Sequence, residues 1–159
     1  MTTKTRLLIV EDHAILRDGL RSVLVDYPEF VIVGEAEDGF EAVQQCENCG
    51  PDLVLLDLSL PKQDGIVTLR KIKNKWPETA VLVLTMHRSK QSLDEAMEAG
   101  ADGYCLKDSP MDELVRALRA VIQGRQYISK EMLCFCEERS RTRARGLVGG
   151  EENAKAVSL

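Results

Sequence analysis

Apolar positions along the chain alternate between two rhythms. Five continuous runs, 7–10, 30–33, 53–56, 80–84 and 104–106, are rich in Val, Ile and Leu. Unbroken runs of this length predict strands covered on both faces. Between them the spacing turns helical: Leu16, Leu20, Val23 and Leu24 share one face, as do Ile66, Leu69 and Ile72, then Leu93, Ala96 and Met97, then Leu114, Leu118, Val121 and Ile122. Phe40, Val43 and Cys46 give a weaker second helix. Pro28, Pro51, Pro61, Pro77 and Pro110 fall near the predicted boundaries, with Pro110 suited to the first turn of the last helix. Strand and helix alternate five times. That order predicts an α/β domain: a five-stranded parallel sheet with right-handed crossovers and helices on both faces.

Ligands of such sheets bind beyond the carboxyl ends of the strands. The runs end at Glu11-Asp12, Gly34-Glu35, Asp57, Thr85 and Lys107. If the first and third strands are neighbours, Asp12 and Asp57 enter one pocket from backbones about 4.8 Å apart, and Glu11 adds a third carboxylate. Three such anions stay ionised only beside a cation. An all-oxygen donor set favours magnesium, which prefers one or two carboxylates together with phosphate oxygens and water. Thr85 supplies a hydroxyl for a phosphoryl oxygen and Lys107 a compact positive charge. Asp57 is then the nucleophile that forms an acyl phosphate. Taken singly, an Asp or Thr at a strand end is a turn former or helix cap, and a Lys there is a surface charge; the joint placement carries the reading.

Composition narrows the alternatives. The chain has 159 residues, 44% hydrophobic and 30% charged, which suits one globular domain with an extension. No apolar run approaches the ~20 residues of a membrane span, and Met1 to Arg6 precede no cleavage motif, so a cytoplasmic protein without membrane association is expected. Net charge is −5, divided as −6 over residues 1–125 and +1 beyond. An acidic body does not look like a nucleic-acid surface. Five cysteines, an odd number, read as reduced thiols; Cys46/Cys49 and Cys134/Cys136 lack the second ligand pair of a zinc site. His13 and His87 flank the acidic site. Without a Ser or Cys nucleophile they make no hydrolase triad, so His13 is read as starting the first helix and His87 as lying over the site's water access. Residues 34–39 are not a dinucleotide fingerprint.

Five segments, Leu7-Leu8-Ile9-Val10-Glu11-Asp12-His13, residues 52–61 ending Leu56-Asp57-Leu58-Ser59-Leu60-Pro61, Asp64-Gly65, Leu84-Thr85-Met86-His87 and residues 99–108 ending Leu106-Lys107-Asp108, resemble in order and spacing the receiver domain of bacterial two-component response regulators. The resemblance covers about residues 5–127 and is nearest to the NarL/FixJ (LuxR-type) subfamily. It implies a flavodoxin-like, CheY-like fold with strand order 2-1-3-4-5. It further implies that Asp57 accepts a phosphoryl group from a sensor histidine kinase or phosphotransfer protein. Mg2+ would be held by Asp12, Asp57 and the backbone carbonyl of Ser59, with Glu11 acting through water or by positioning. Thr85 and Lys107 would grip the phosphoryl group, and Thr85 with Tyr104 would form the switch. In that switch Tyr104 turns inward once Thr85 moves; the plainer reading of Tyr104 is a half-buried packing residue. The protein would signal rather than turn over substrate, and a homodimer through the fourth or fifth helix is compatible with the family.

The tail departs from the family pattern. Residues 1–127 are read as the receiver and 128–159 as a linker-like short helix, capped by Ser129 and running to about Glu138, with a flexible tail. No complete helix-turn-helix domain fits in that length. Arg139, Arg141, Arg143 and Arg145 read as a solvated run, and DNA binding by this chain is not expected. The competing classes are a DNA-binding regulator of the NarL/FixJ type represented without its output domain, and an aspartate-nucleophile phosphatase. The latter expects D-x-D, whereas this chain reads Asp57-Leu58-Ser59.

Overall fold

The computed structural model describes residues 3–135. The elements follow as β1 (Thr5–Val10), α1 (Ala14–Leu24), β2 (Phe30–Ala36), α2 (Gly39–Cys49), β3 (Leu53–Leu56), α3 (Gly65–Lys75), β4 (Ala80–Thr85), α4 (Lys90–Glu98), β5 (Gly103–Leu106), α5 (Met111–Ile122) and β6 (Tyr127–Ile128), with a 3-10 turn at Lys130–Met132. All pairings are parallel, in the order β2-β1-β3-β4-β5-β6. The expected order 2-1-3-4-5 is present, but the sheet has six strands rather than five. Tyr127, the last residue of the expected receiver, and Ile128, the first of the expected linker, form the sixth, pairing Gly103 with Tyr127 and Tyr104 with Ile128. Two residues carry no periodicity, so only the free edge of β5 reveals them.

The continuous apolar runs are explained by two cores. Leu8, Val10, Val54, Leu56, Val81, Val83, Tyr104 and Leu106 face one layer together with α2, α3 and α4 residues such as Cys46, Leu69 and Leu93. Leu7, Ile9, Leu53, Leu55, Leu82, Leu84 and Cys105 face the other, against Leu20 and Leu24 of α1 and Leu114, Leu118 and Val121 of α5. Alternate residues of each strand point to opposite faces, so both parities must be apolar.

Local chemistry sets the helix starts. Asp38, Asp64 and Ser89 accept backbone N–H bonds at the N-termini of α2, α3 and α4. His13 is the N-cap residue of α1, as the sequence suggested, though its ring makes no capping bond. Pro110 precedes α5 at the cap position rather than lying in its first turn. β2 runs through Gly34 to Ala36, past its predicted end. Phe40 is exposed, and α2 packs through Ala42 and Cys46 instead. Ser129 caps no helix with its side chain; its hydroxyl accepts the Leu106 N–H at 3.0 Å. The expected continuation to Glu138, Cys136 and the arginine run lie outside the described residues.

Candidate functional site

The β1–β3 pairing, Val10 opposite Leu56, brings Glu11, Asp12 and Asp57 to one edge of the sheet. β4 and β5 add Thr85 and Lys107 at the same edge, where the Lys107 N–H donates to the Thr85 carbonyl at 2.8 Å. Each of these residues follows or ends a buried strand, so its backbone position is fixed by the sheet.

Lys107 is the centre of the cluster. Its Nζ lies 2.8 Å from Glu11 Oε1 and 2.9 Å from Asp57 Oδ2. Both carboxylates are almost wholly buried, with 2% and 3% of their side chains exposed. The Ser59 N–H donates to the other Asp57 oxygen, Oδ1, at 3.0 Å. Burial pushes the Asp57 carboxyl above its ordinary value, and Lys107 and the Ser59 amide offset this only in part. Burial also acts on Glu11, but there Lys107 and the His13 amide outweigh it and the carboxyl lies below its ordinary value. The Lys107 ammonium is held above its usual range because its two carboxylate partners outweigh its own desolvation.

Asp12 sits beside this trio. Glu11, Asp12 and His13 each bring one ligand atom within 4.8 Å of the others. The exposed His13 ring places Nδ1 3.1 Å from Glu11 Oε2 and 3.2 Å from Asp12 Oδ1. Asp12 Oδ1 is buried without a hydrogen-bond partner, and Glu11 Oε1 touches Lys107 without hydrogen-bond alignment. Buried carboxylate oxygens left with unused lone pairs are what an oxygen-seeking divalent cation requires, so the residues fit the expected magnesium.

Thr85 is fully buried. Its hydroxyl accepts the His87 N–H at 3.1 Å, and the backbone bond from Lys107 ties the two strand ends together. Tyr104 is also fully buried, not half-buried. Its hydroxyl donates to the His87 carbonyl at 2.7 Å and lies 2.8 Å from Ser92 Oγ. The ring is therefore already inside in this structure.

Two features were not foreseen. Ser59 Oγ lies 3.0 Å from His87 Nε2, bridging the loops after β3 and β4. The clue was positional: these residues stand two places beyond Asp57 and Thr85 on neighbouring strands. Arg17 of α1 donates to the Glu11 carbonyl at 2.6 Å and pairs with Glu35 and Glu37, bracing the end of β1.

Comparison with known proteins gives the family of the chain. The family model of the response regulator receiver domain matches residues 7–119. Transcriptional regulatory protein DegU of Brevibacillus brevis is 36% identical over 125 residues, which are 79% of this chain and 53% of DegU. Oxygen regulatory protein NreC of Staphylococcus epidermidis is 37% identical over 128 residues, 80% of this chain and 59% of NreC. The chain thus spans between half and two thirds of the length of these relatives. Among solved structures, a LuxR-family two-component response regulator from Aurantimonas superposes with a TM-score of 0.82 at 36% identity, covering 87% of this chain and 99% of that one.

Proposed function

Because the chain belongs to the response regulator receiver domain family, we propose that Asp57 is the residue on which this two-component signalling domain of the NarL/LuxR type receives a phosphoryl group. The observation that carries the assignment is the Lys107 ammonium lying between Asp57 and Glu11 beside a buried Asp12 oxygen that makes no hydrogen bond.

Asp57 presents Oδ2 to Lys107 and Oδ1 to the Ser59 amide. A nucleophile gripped at both oxygens is oriented rather than free, which is most of what in-line transfer asks of a protein. Lys107 balances negative charge as it builds on the incoming group. Thr85 exchanges its present role as acceptor from His87 for donation to a phosphoryl oxygen, and loss of that contact frees the loop after β4. Glu11, Asp12, Asp57 and the Ser59 carbonyl are the residues that would hold Mg2+, which when bound supplies the charge neutralisation a phosphoryl transfer needs. The donor is a phosphohistidine on a sensor kinase or phosphotransfer protein, and the activity is self-phosphorylation with slow loss of the group rather than turnover. Among the described residues no helix is long and apolar enough to cross a membrane.

The test is incubation with acetyl phosphate and Mg2+ followed by intact mass. One labile phosphoryl addition is expected, absent in Asp57→Asn and with a chelator; an adduct that persists in the variant would overturn the assignment. A second reading, a gene-regulatory output, is favoured by the relatives' names and by the chain spanning 53% of DegU. Under that reading the described residues are the input half, and DNA affinity resides elsewhere. Filter binding of this chain across a salt series is expected to show no salt-sensitive affinity.

A further inference from the structure

The segment after α5 is stitched to β5 and to the loops that carry Arg88 and Asp108 beside Thr85 and Lys107. β6 pairs with only part of β5, through the Tyr127 N–H to the Asp102 carbonyl at 3.3 Å and the Ser129 N–H to the Tyr104 carbonyl at 2.9 Å. The Ser129 hydroxyl accepts the N–H of Leu106, the residue before Lys107, at 3.0 Å. Met132 is buried, and Ile128, Met132 and Phe135 join the core that contains Tyr104 and Leu93. A Cβ at Gly103 would stand 2.7 Å from Leu82 Cδ1, 2.9 Å from Val121 Cγ1 and 3.1 Å from the Tyr127 carbonyl oxygen, so core packing and the β6 pairing are both close there.

Arg88 completes the connection. It lies three residues after Thr85, in the loop whose His87 amide and carbonyl are held by Thr85 and Tyr104. Its guanidinium pairs with Asp108, the neighbour of Lys107, and reaches Glu131 of the 3-10 turn at 3.4 Å. A single arginine therefore links the Thr85 loop, the Lys107 loop and the post-α5 segment. A strand of two residues is a marginal element, so its attachment depends on these side-chain ties.

We propose that residues 127–135 form a clasp that is closed in the unphosphorylated chain and released by phosphorylation of Asp57; the idea rests on the function proposed above. A phosphoryl group at Asp57 draws Lys107 and the Thr85 hydroxyl toward it. Thr85 then leaves the His87 N–H, the loop carrying Arg88 moves away from Asp108 and Glu131, and the Ser129 bond to Leu106 is strained by the shift of Lys107. Each contact favours the closed state only while both loops keep their present positions, so the modification biases a two-state equilibrium through contacts it removes.

Cys105 is a built-in reporter. Its thiol is fully buried on β5 in the core against α5, with Ser129 of the clasp, Ser109 and Glu113 beside it, and stands outside the phosphorylation site. Cys134, in the segment itself, is exposed and serves as an internal reference. The full chain is treated with acetyl phosphate and Mg2+, the phosphoryl addition is read by intact mass, and iodoacetamide alkylation of each cysteine is followed by peptide mass. Alkylation of Cys105 should accelerate by about tenfold or more, as when an open state rises from roughly 1% to 10% of the population, with Cys134 unchanged. Glu131→Gln, which touches neither Asp57 nor the acidic pocket, should raise the Cys105 rate in the unmodified chain and shrink the further gain on phosphorylation. A phosphorylated chain whose Cys105 rate is unchanged or slower would overturn the clasp and leave the Asp57 assignment standing. Absence of any phosphoryl addition would overturn both.

Discussion

Replacing Lys107 by Met isolates the charge at the centre of the site while keeping the length of its stem. At an effective dielectric of about 20, the contacts of 2.8 Å to Glu11 and 2.9 Å to Asp57 are each worth about 6 kcal/mol of gross attraction. Desolvation of the ammonium, several kcal/mol, is recovered in the variant. The cost observed on removing one partner from a buried ion pair is about 3–5 kcal/mol, below the gross attraction because a carboxylate takes up a proton once the ammonium is gone. Urea unfolding in the presence of a chelator should then show a midpoint lower by about 2 M, taking a slope of about 2 kcal/mol/M.

The pH dependence sharpens the test. In Lys107→Met the folded state binds a proton between its two carboxylates more tightly than the unfolded chain does. Stability must therefore rise as pH falls from about 8 toward the ordinary carboxylate range, and excess Mg2+ should restore stability at neutral pH. A variant as stable as the parent in chelator, with no gain on acidification, would refute the claim that Lys107 holds two buried anions.

Asp57→Asn should raise the urea midpoint in chelator. The folded Asp57 carboxyl titrates above its ordinary value, so its penalty is full above the folded value and gone below about pH 3.9, and the gain from the variant should vanish on the same descent. Gly65→Ala should cost about 3 kcal/mol, measured by urea titration, because the new Cβ would stand 2.4 Å from the Leu58 Cα and 2.5 Å from the Leu58 carbonyl oxygen, backbone that cannot yield. It should also slow phosphorylation by acetyl phosphate, since Leu58 adjoins Asp57. Burial pushes the Cys46 thiol up to about 12, so in the folded chain iodoacetamide should label exposed Cys134 and leave Cys46 untouched until denaturant is added.

What was legible in the sequence follows from what leaves a local pattern. Residues 7–10 of β1, all of β3 and residues 80–84 of β4 are buried on both faces, so they had to be apolar at successive positions, and α5 shows its stripe from Leu114 to Ile122. The positions of Glu11, Asp12, Asp57, Thr85 and Lys107 were readable because each follows or ends such a strand. β6 was not readable, because two residues pairing with an edge obey a tertiary opportunity rather than a period. Phe40 misled for the opposite reason: it has the spacing of the apolar face, yet α2 packs through Ala42 and Cys46. The Ser59–His87 contact and the Arg88 pairs join residues twenty or more positions apart, and nothing local marks them.

At the site the fold leaves electrostatic work undone. Several carboxylates outside it meet guanidinium or ammonium groups: Glu35 with Arg17 and Arg21, Glu29 with Arg119, Asp102 with Lys73. At the edge of the sheet one ammonium serves Glu11 and Asp57, while an Asp12 oxygen has no hydrogen bond. A fully compensated pocket would be more stable, but it would hold no lone pairs for a divalent ion and give Lys107 no reason to follow a new phosphoryl group. Bracing comes instead from outside the pocket. Arg17, with 12% of its side chain exposed, holds the Glu11 carbonyl and two glutamates of the β2 edge, so β1 ends rigidly although the carboxylates beyond it repel one another. Separating the group that fixes the backbone from the groups that perform the chemistry lets the acidic pocket remain under-compensated without loosening the sheet that positions it.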